Sequence, residues 1–144
     1  FRFKLPSTLR IDLILKKSKY ALYQKNTNEI VVLDDKGMVL EKVKETNLPY
    51  VVISDNLLNI GEVVGSKKTF ALELLYGIYY LYQVKSGEII NDSLEVIVPD
   101  AGKIIFPLMG ERDILLGSMK LILTRSGKVK EIDLRYKNPV IRPD

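Results

Sequence analysis

The sequence predicts an α+β protein in which a mainly antiparallel β-sheet carries two helices packed on one face. Short runs of alternating apolar and polar residues, separated by turn residues, occupy most of the chain and predict strands. Two longer segments instead repeat their apolar residues at helical spacing. Because most successive strands are joined by hairpin turns, their pairing is expected to be antiparallel.

The first strands are separated by short segments whose residues favour hairpin turns. Lys25–Asn28 is polar, and Asp35–Gly37 ends in a glycine that can adopt the positive φ of a tight turn. Asp34 and Asp35 are too few and wrongly spaced for an EF-hand calcium loop, so a plain hairpin is the favoured interpretation. The predicted strands of this part are Leu9–Leu15, Tyr20–Gln24, Glu29–Asp34, Met38–Leu40 and Leu48–Ile53.

A long helix is predicted from Lys67 to about Val84, with Ser66 as its N-cap. Gly61 and Gly65 before it lack the Gly-Lys-Ser/Thr ending of a phosphate-binding loop. The helix carries four tyrosines, which cannot all face one core. Some rings are therefore expected at the surface, either packed with their hydroxyls at the rim of the core or forming a partner-binding or membrane-surface face. The predicted buried face comprises Ala71, Leu74, Leu75, Ile78, Leu81 and Tyr82, and the tyrosines are Tyr76, Tyr79, Tyr80 and Tyr82.

The second half of the chain is predicted to contain three strands, a shorter helix and a final strand. Pro99–Gly102 has the residues of a hairpin turn between two of the strands. The helix is predicted from Glu111 to about Arg125, and Ser126-Gly127 ends it. The strands are Glu88–Asn91, Leu94–Val98 and Lys103–Phe106, and the apolar stripe of the helix comprises Leu115, Leu116, Met119, Ile122 and Leu123.

The C-terminal stretch has the most regular strand pattern of the sequence. Ile132, Leu134 and Tyr136 alternate with charged residues, which predicts a strand with one buried face. Lys137–Pro139 interrupts the pattern and Val140-Ile141 resumes it. Glu131–Tyr136 is expected to pair with the sheet on one side. A strand at this position often lies at a sheet edge, where its outer side, or the short Val140–Arg142 strand beyond it, is able to pair with another chain, although an ordinary terminal strand has the same pattern.

The composition excludes several classes of function. The chain has no His and no Cys, which removes histidine-containing triads, thiolate nucleophiles and Cys-ligated metals. Its net charge of +4 is spread along the sequence, without the basic residues interleaved with aromatics that bind nucleic acid. Lys16–Lys19 is interpreted as a solvated junction between domains rather than an anion site. No cofactor or metal site is expected. The most apolar run, Phe70–Val84, is too short to span a bilayer, and a chain that begins with Phe1 is expected to be a fragment of a longer protein.

Several motifs together resemble the FtsQ/DivIB cell-division family. Ile-Asp-Leu-Arg-Tyr followed by Asn-Pro-Val-Ile-Arg is similar to the closing strand of that family. The Asp-Lys-Gly hairpin at residues 35–37, the Leu-Pro at 48–49 and the Val-Pro-Asp-Ala-Gly-Lys hairpin at 98–103 occur in the family's order. Leu-Pro-Ser-Thr-Leu-Arg-Ile at residues 5–11 resembles the end of the POTRA domain that precedes the main domain. The membrane helix and most of the POTRA domain of the family have no counterpart in the sequence.

The resemblance implies a domain organisation, a location and a function. Residues 1–17 would be the C-terminal end of a POTRA-like domain, and residues 18–144 an FtsQ/DivIB-like β domain on the extracytoplasmic face of the cell membrane. The protein would be a non-enzymatic scaffold, anchored by a single membrane span outside this chain. Its partners would be FtsB/FtsL-like division proteins, bound by β-strand addition. A POTRA-containing module for envelope assembly or secretion remains the alternative. The expected partner-binding residues are Arg135, Tyr136, Pro139, Val140, Ile141 and Arg142.

Overall fold

The computed structural model describes residues 16–55 and 57–144, which form one nine-stranded sheet and two helices. This confirms the predicted α+β class. The strand expected at Leu9–Leu15 lies outside the described residues, as does nearly all of the expected POTRA-like segment 1–17. In chain order the elements are β1 (Tyr20–Gln24), β2 (Glu29–Leu33), β3 (Val39–Val43), β4 (Tyr50–Ile53), α1 (Ser66–Tyr82), β5 (Ser86–Ile90), β6 (Ser93–Val98), β7 (Gly102–Pro107), α2 (Arg112–Ser126), β8 (Val129–Asp133) and β9 (Val140–Pro143).

The strands lie in the order β3-β2-β1-β4-β5-β6-β7-β8-β9. Strands joined by short turns pair antiparallel, as the turn residues predict. The pairs β4–β5 and β7–β8 are parallel, because each helix carries the chain back to the end of the sheet at which the preceding strand began. A third parallel pair, β1–β4, completes the sheet. Antiparallel pairing therefore predominates, and parallel pairs occur mainly where a helix connects the strands.

The core lies between the sheet and the helices. α1 packs across the centre of the sheet, against β1, β4, β5 and β6, while α2 packs beside it against β8. The rings of Tyr76 and of Tyr20 in β1 pack perpendicular to each other, with centroids 5.9 Å apart. The fully buried side chains on these elements include Leu22, Ile53, Leu74, Ile78, Leu94, Phe106, Met119 and Ile132.

The observed α1 corrects three details of the predicted helix. Its N-cap is Gly65 rather than Ser66, and it makes no side-chain capping hydrogen bond. The helix ends at Tyr82, because Gln83 adopts a left-handed conformation (φ 60°) and donates its N–H to the carbonyl of Tyr79. Leu81, predicted to be buried, is 39% exposed. Tyr80 is 79% exposed, which confirms that part of the tyrosine set reaches the surface.

The second helix, α2, is less deeply buried than its apolar stripe predicts. Met119 alone on this helix is fully buried, while the other four stripe residues are half-buried. The reason is that α2 packs beside α1 rather than over the centre of the sheet. Gly77 of α1 permits this arrangement, since a Cβ at that position would overlap the side chain of Leu116.

A close backbone approach occurs where β7 begins. Gly102 has a φ of +137°, a backbone conformation that residues other than glycine rarely adopt. A Cβ on Gly102 would overlap the carbonyl oxygen of Val129 at the start of β8. The neighbouring Ala101 accepts a 2.7 Å hydrogen bond from the N–H of Val129, which holds the two strands together at this point. The turn before β7 thus depends on glycine for both its conformation and its space.

Candidate partner-binding edge

The last strand of the chain, β9, forms one edge of the described sheet. It pairs antiparallel with β8, and all of its residues are exposed. In the sequence, the strand pattern is interrupted at Lys137–Pro139 and then resumes. In the structure, the chain reverses direction over residues 134–139, so that the resumed strand, β9, pairs antiparallel with β8. Strand β8 therefore lies one position inside the edge, and its outer side is occupied by β9. Of the two surfaces expected to be free, only that of β9 remains available.

Arg135 and Tyr136 lie in the turn between β8 and β9 rather than within a strand. The expectation that Glu131–Tyr136 pairs as one strand is wrong beyond Leu134, whose N–H donates the last hydrogen bond to β7. Tyr136 does not continue the buried alternation of Ile132 and Leu134, and its side chain is 60% exposed. The turn projects this ring into solvent beside the edge strand.

Arg135 is held by an acidic side chain of its own turn. Its Nε and Nη2 donate to the two carboxylate oxygens of Asp133 at 2.9 and 2.6 Å, and its backbone N–H donates to the same group at 3.0 Å. Asp133 is only 5% exposed, so this bidentate pairing satisfies a buried carboxylate. The Arg135 guanidinium also lies 5.7 Å from the centre of the Tyr136 ring. Arg135 is thus committed within the chain and orients Tyr136.

The Asp133–Arg135 pair predicts a dependence of stability on pH. Hydrogen bonds from Arg135 hold the pKa of Asp133 below its ordinary value of 3.8. A carboxyl whose pKa is lowered by folding stabilises the folded state above 3.8 and loses that contribution as the pH falls through the lowered pKa. We expect Asp133→Asn to flatten the loss of stability below about pH 4, measured by urea unfolding at stepwise lower pH.

The control for this measurement is Asp113→Asn, because the Asp113 side chain is 86% exposed and, among the described residues, forms an ion pair only with its neighbour Arg112. It should leave the acid part of the stability profile unchanged. Equal profiles for Asp133→Asn and the unaltered chain would show that the pair contributes nothing to acid stability. Asp34 adds a parallel effect, because N–H groups of Met38 and Lys36 donate to its carboxylate and lower its pKa. It is therefore left unaltered in both variants.

Backbone hydrogen bonds show which groups of β9 face outwards. The N–H of Leu134 donates to the carbonyl of Ile105 in β7 at 2.8 Å, so Leu134 directs its backbone groups towards β7. Successive residues of a strand direct these groups to opposite sides, and Asp133 therefore directs its own towards β9. Asp133 lies opposite Val140, so the N–H and C=O of Val140 form hydrogen bonds with β8. Ile141, the next residue, directs its N–H and C=O away from the sheet.

A ladder of charges fixes β9 to the sheet on the face opposite the helices. Lys103 in β7 lies 3.1 Å from a carboxylate oxygen of Glu95 and 3.3 Å from one of Glu131. Its hydrogen bonds, first to Glu95 and then to Glu131, raise the pKa of Lys103. Arg142 of β9 continues the ladder, with its Nη1 3.4 Å from Glu131. Opposite charges on adjacent strands favour this register, so β9 is held in place while its outer side stays open.

The other edge of the described sheet, β3, is partly covered. Val39 donates its N–H to the carbonyl of Glu62 and accepts from the N–H of Gly61, at 2.8 and 2.9 Å. Val64 likewise donates to the carbonyl of Gly37 at 2.9 Å. These bonds occupy the beginning of the β3 edge with residues 61–64 of the chain itself. The edge of β9 has no such cover among the residues that the structure describes.

The basic connector Lys16–Lys19 lines a surface cleft of about 540 Å³ together with Asp34, Asp35 and Tyr76. Lys16 lies 3.6 Å from a carboxylate oxygen of Asp34, and Lys19 lies 5.2 Å from the ring centres of both Tyr20 and Tyr76. These two lysines therefore make contacts within the chain. Asp34 sits in a hairpin turn and accepts two backbone N–H groups, as the plain-hairpin interpretation requires.

The six expected partner-binding residues lie close together along one continuous segment. Arg135 and Tyr136 form the turn, Pro139 precedes β9, and Val140–Arg142 lie within it. The sequence interpretation missed the contribution of Asp133 and Glu131, which hold Arg135 and Arg142. Their signal was present, since acidic residues alternate along β8 and basic residues follow at 135 and 142.

Neither helix in the described part of the chain is long and apolar enough to cross a membrane. No protein-family model matches the sequence, and the comparison with curated proteins gives no match.

Proposed function

We propose that this chain is the extracytoplasmic β domain of a division scaffold of the FtsQ/DivIB type, without enzymatic activity. It binds FtsB/FtsL-like proteins by accepting a partner strand at the outer edge of β9. Residues 1–17 then belong to a preceding POTRA-like domain, and a segment outside this chain anchors the protein in the cell membrane. The observation that carries the proposal is the open edge of β9, where Ile141 presents both backbone groups outwards.

Strand addition suits this edge because main-chain hydrogen bonds provide affinity without requiring a deep pocket. The adjacent side chains supply specificity. Tyr136 offers a large, rigid and exposed ring, a residue type enriched at binding hot spots. Arg142 exposes 65% of its side chain while it contacts Glu131, so it is able to meet an acidic group of a partner. Arg135 acts indirectly, since its guanidinium is held by Asp133 and supports the Tyr136 ring.

Substituting Ile141 with proline tests the role of the backbone. Ile141→Pro removes the outward N–H, and proline is tolerated on an edge strand where that N–H faces solvent. We expect binding of the extracytoplasmic segment of an FtsB-like protein from the same organism to weaken at least about ten-fold, measured by isothermal titration calorimetry. The melting temperature should stay nearly unchanged, because Ile141 contributes no N–H to β8.

The matched control is Ile141→Ala, which shortens the same side chain but keeps the N–H. It should retain most of the affinity. A second variant, Tyr136→Ala, removes the exposed ring and should weaken binding with no loss of stability. If Ile141→Pro and Tyr136→Ala both remain folded and bind the FtsB-like segment normally, the interface lies elsewhere. The exposed tyrosines of α1 would then be the next surface to test.

A further inference from the structure

We propose that the outer edge of β9 fits one foreign extended segment and rejects a second copy of itself, because prolines leave it a single N–H donor. The inference rests on the proposed function only in taking this edge as the binding site. Pro139 and Pro143 occupy the positions two residues before and after Ile141. Pro143 lies within β9, and by the alternation of strand residues it faces outwards together with Ile141. Pro139 directly precedes β9, and its C=O points outwards because a trans peptide directs it opposite to the N–H of Val140, which faces β8.

The two prolines make the edge rich in acceptors and poor in donors. Each presents a C=O but lacks an N–H. Ile141 between them presents one N–H and one C=O, so residues 139–143 offer three acceptors and one donor. Neither missing N–H costs the sheet a hydrogen bond, since Pro143 faces away from β8 and Pro139 lies outside the paired residues of β9. Their placement therefore affects only a chain that approaches from outside.

A foreign strand with ordinary residues completes this edge well. In an antiparallel arrangement it donates N–H groups to the carbonyls of Pro139, Ile141 and Pro143, and accepts one N–H from Ile141. A parallel arrangement allows the same number of bonds, with the partner residues displaced along the strand. The edge thus selects a segment that presents three free N–H groups on alternate residues, with no proline among them.

A second copy of β9 that approaches this edge also lacks N–H donors at its two prolines. Each copy supplies one N–H, so self-pairing in any register contains at most two N–H···O bonds, against four with a foreign strand. An open edge strand ordinarily tends to pair with the same strand of another copy of the protein, and proline is one of the residues that prevent this pairing. The prolines therefore allow β9 to stay open to a partner without joining identical chains.

The test is the oligomeric state of the double variant Pro139→Ala/Pro143→Ala, measured by sedimentation equilibrium over a range of concentrations. The unaltered chain should be monomeric, and restoring both N–H groups should strengthen self-association at least about ten-fold. Adding Ile141→Pro to the double variant should reverse part of this gain, because it removes one donor from the same edge. Circular dichroism verifies that each variant is folded.

Pro99→Ala is the control, because Pro99 is an exposed proline outside β9 and its replacement should leave the chain monomeric. A double variant that remains folded and monomeric at the highest concentration would overturn the proposal. So would an unaltered chain that dimerises and becomes monomeric with Ile141→Pro. Neither result bears on the proposed function, which the titration with the FtsB-like segment measures separately.

Discussion

Leu74→Ala is expected to lower the free energy of unfolding by about 2–5 kcal/mol, because it leaves a cavity that the surrounding structure only partly fills. Leu74 lies on the sheet-facing side of α1 and has no exposed surface. Ile78, one turn further along the helix, is equally buried and should show a loss of the same order when replaced by Ala. Urea unfolding followed by circular dichroism measures both effects.

Tyr80→Ala is the control on the same helix. Tyr80 lies mostly in solvent, so its replacement should change the free energy of unfolding by less than about 0.5 kcal/mol. A loss for Tyr80→Ala as large as that for Leu74→Ala would mean that the ring packs against something other than solvent. The assignment of the inner and outer faces of α1 would then be wrong.

Gly102→Ala should be comparably damaging for a different reason. The substitution places a Cβ against the carbonyl oxygen of Val129 and forces a side chain into a conformation with φ +137°. Backbone strain and steric overlap each cost about 1–3 kcal/mol, so a combined loss of roughly 2–6 kcal/mol is expected. Thermal and urea unfolding of the variant would measure it.

Gly61→Ala separates the two contributions. Gly61 also has a positive φ, +90°, but a Cβ there would meet no atom within 4 Å. This variant should show the cost of strain alone and hence a smaller loss than Gly102→Ala. Equal losses at the two positions would indicate that β7 and β8 separate readily and that the close approach at Val129 is not constrained.

Much of the fold follows from local chemistry. Alternating residues bounded by polar turns predict the strands of the β1–β2 and β6–β7 hairpins to within one or two residues, because a hairpin is specified by its own sequence. The long helix is predicted for the same reason, since α1 repeats its apolar residues at helical spacing over its whole length. The ends of α1 do not follow from that spacing, because Gly65 and Gln83 set them through backbone conformation rather than through a capping side chain.

The details of the candidate site depend on contacts that periodicity does not contain. The period of two predicts that Asp133 faces solvent and Tyr136 the core, and the structure shows the reverse. Asp133 is buried because the Arg135 side chain folds back and binds its carboxylate. Tyr136 is exposed because β8 ends at Asp133 and the chain turns before residue 136. The alternation of residues also does not predict the order of the strands in the sheet. Thus the sequence interpretation brought the six residues together by their nearness in the chain, but could not decide which strand forms the edge.

The junction between β4 and β5 has a consequence for the kinetics of folding. Most other neighbouring strands are joined by short turns. By contrast, β4 and β5, which pair from Tyr50↔Ser86 to Val52↔Glu88, are connected through the long helix α1. All of residues 54–85, including α1, must be arranged before that contact closes. Pairing between strands so far apart in the sequence is slow compared with the formation of a hairpin, because the entropy of closing the loop is lost before the contacts form. We therefore expect the hairpins to form early, and α1, which contacts β1, β4, β5 and β6, to dock late and join the two halves of the sheet into one cooperative unit.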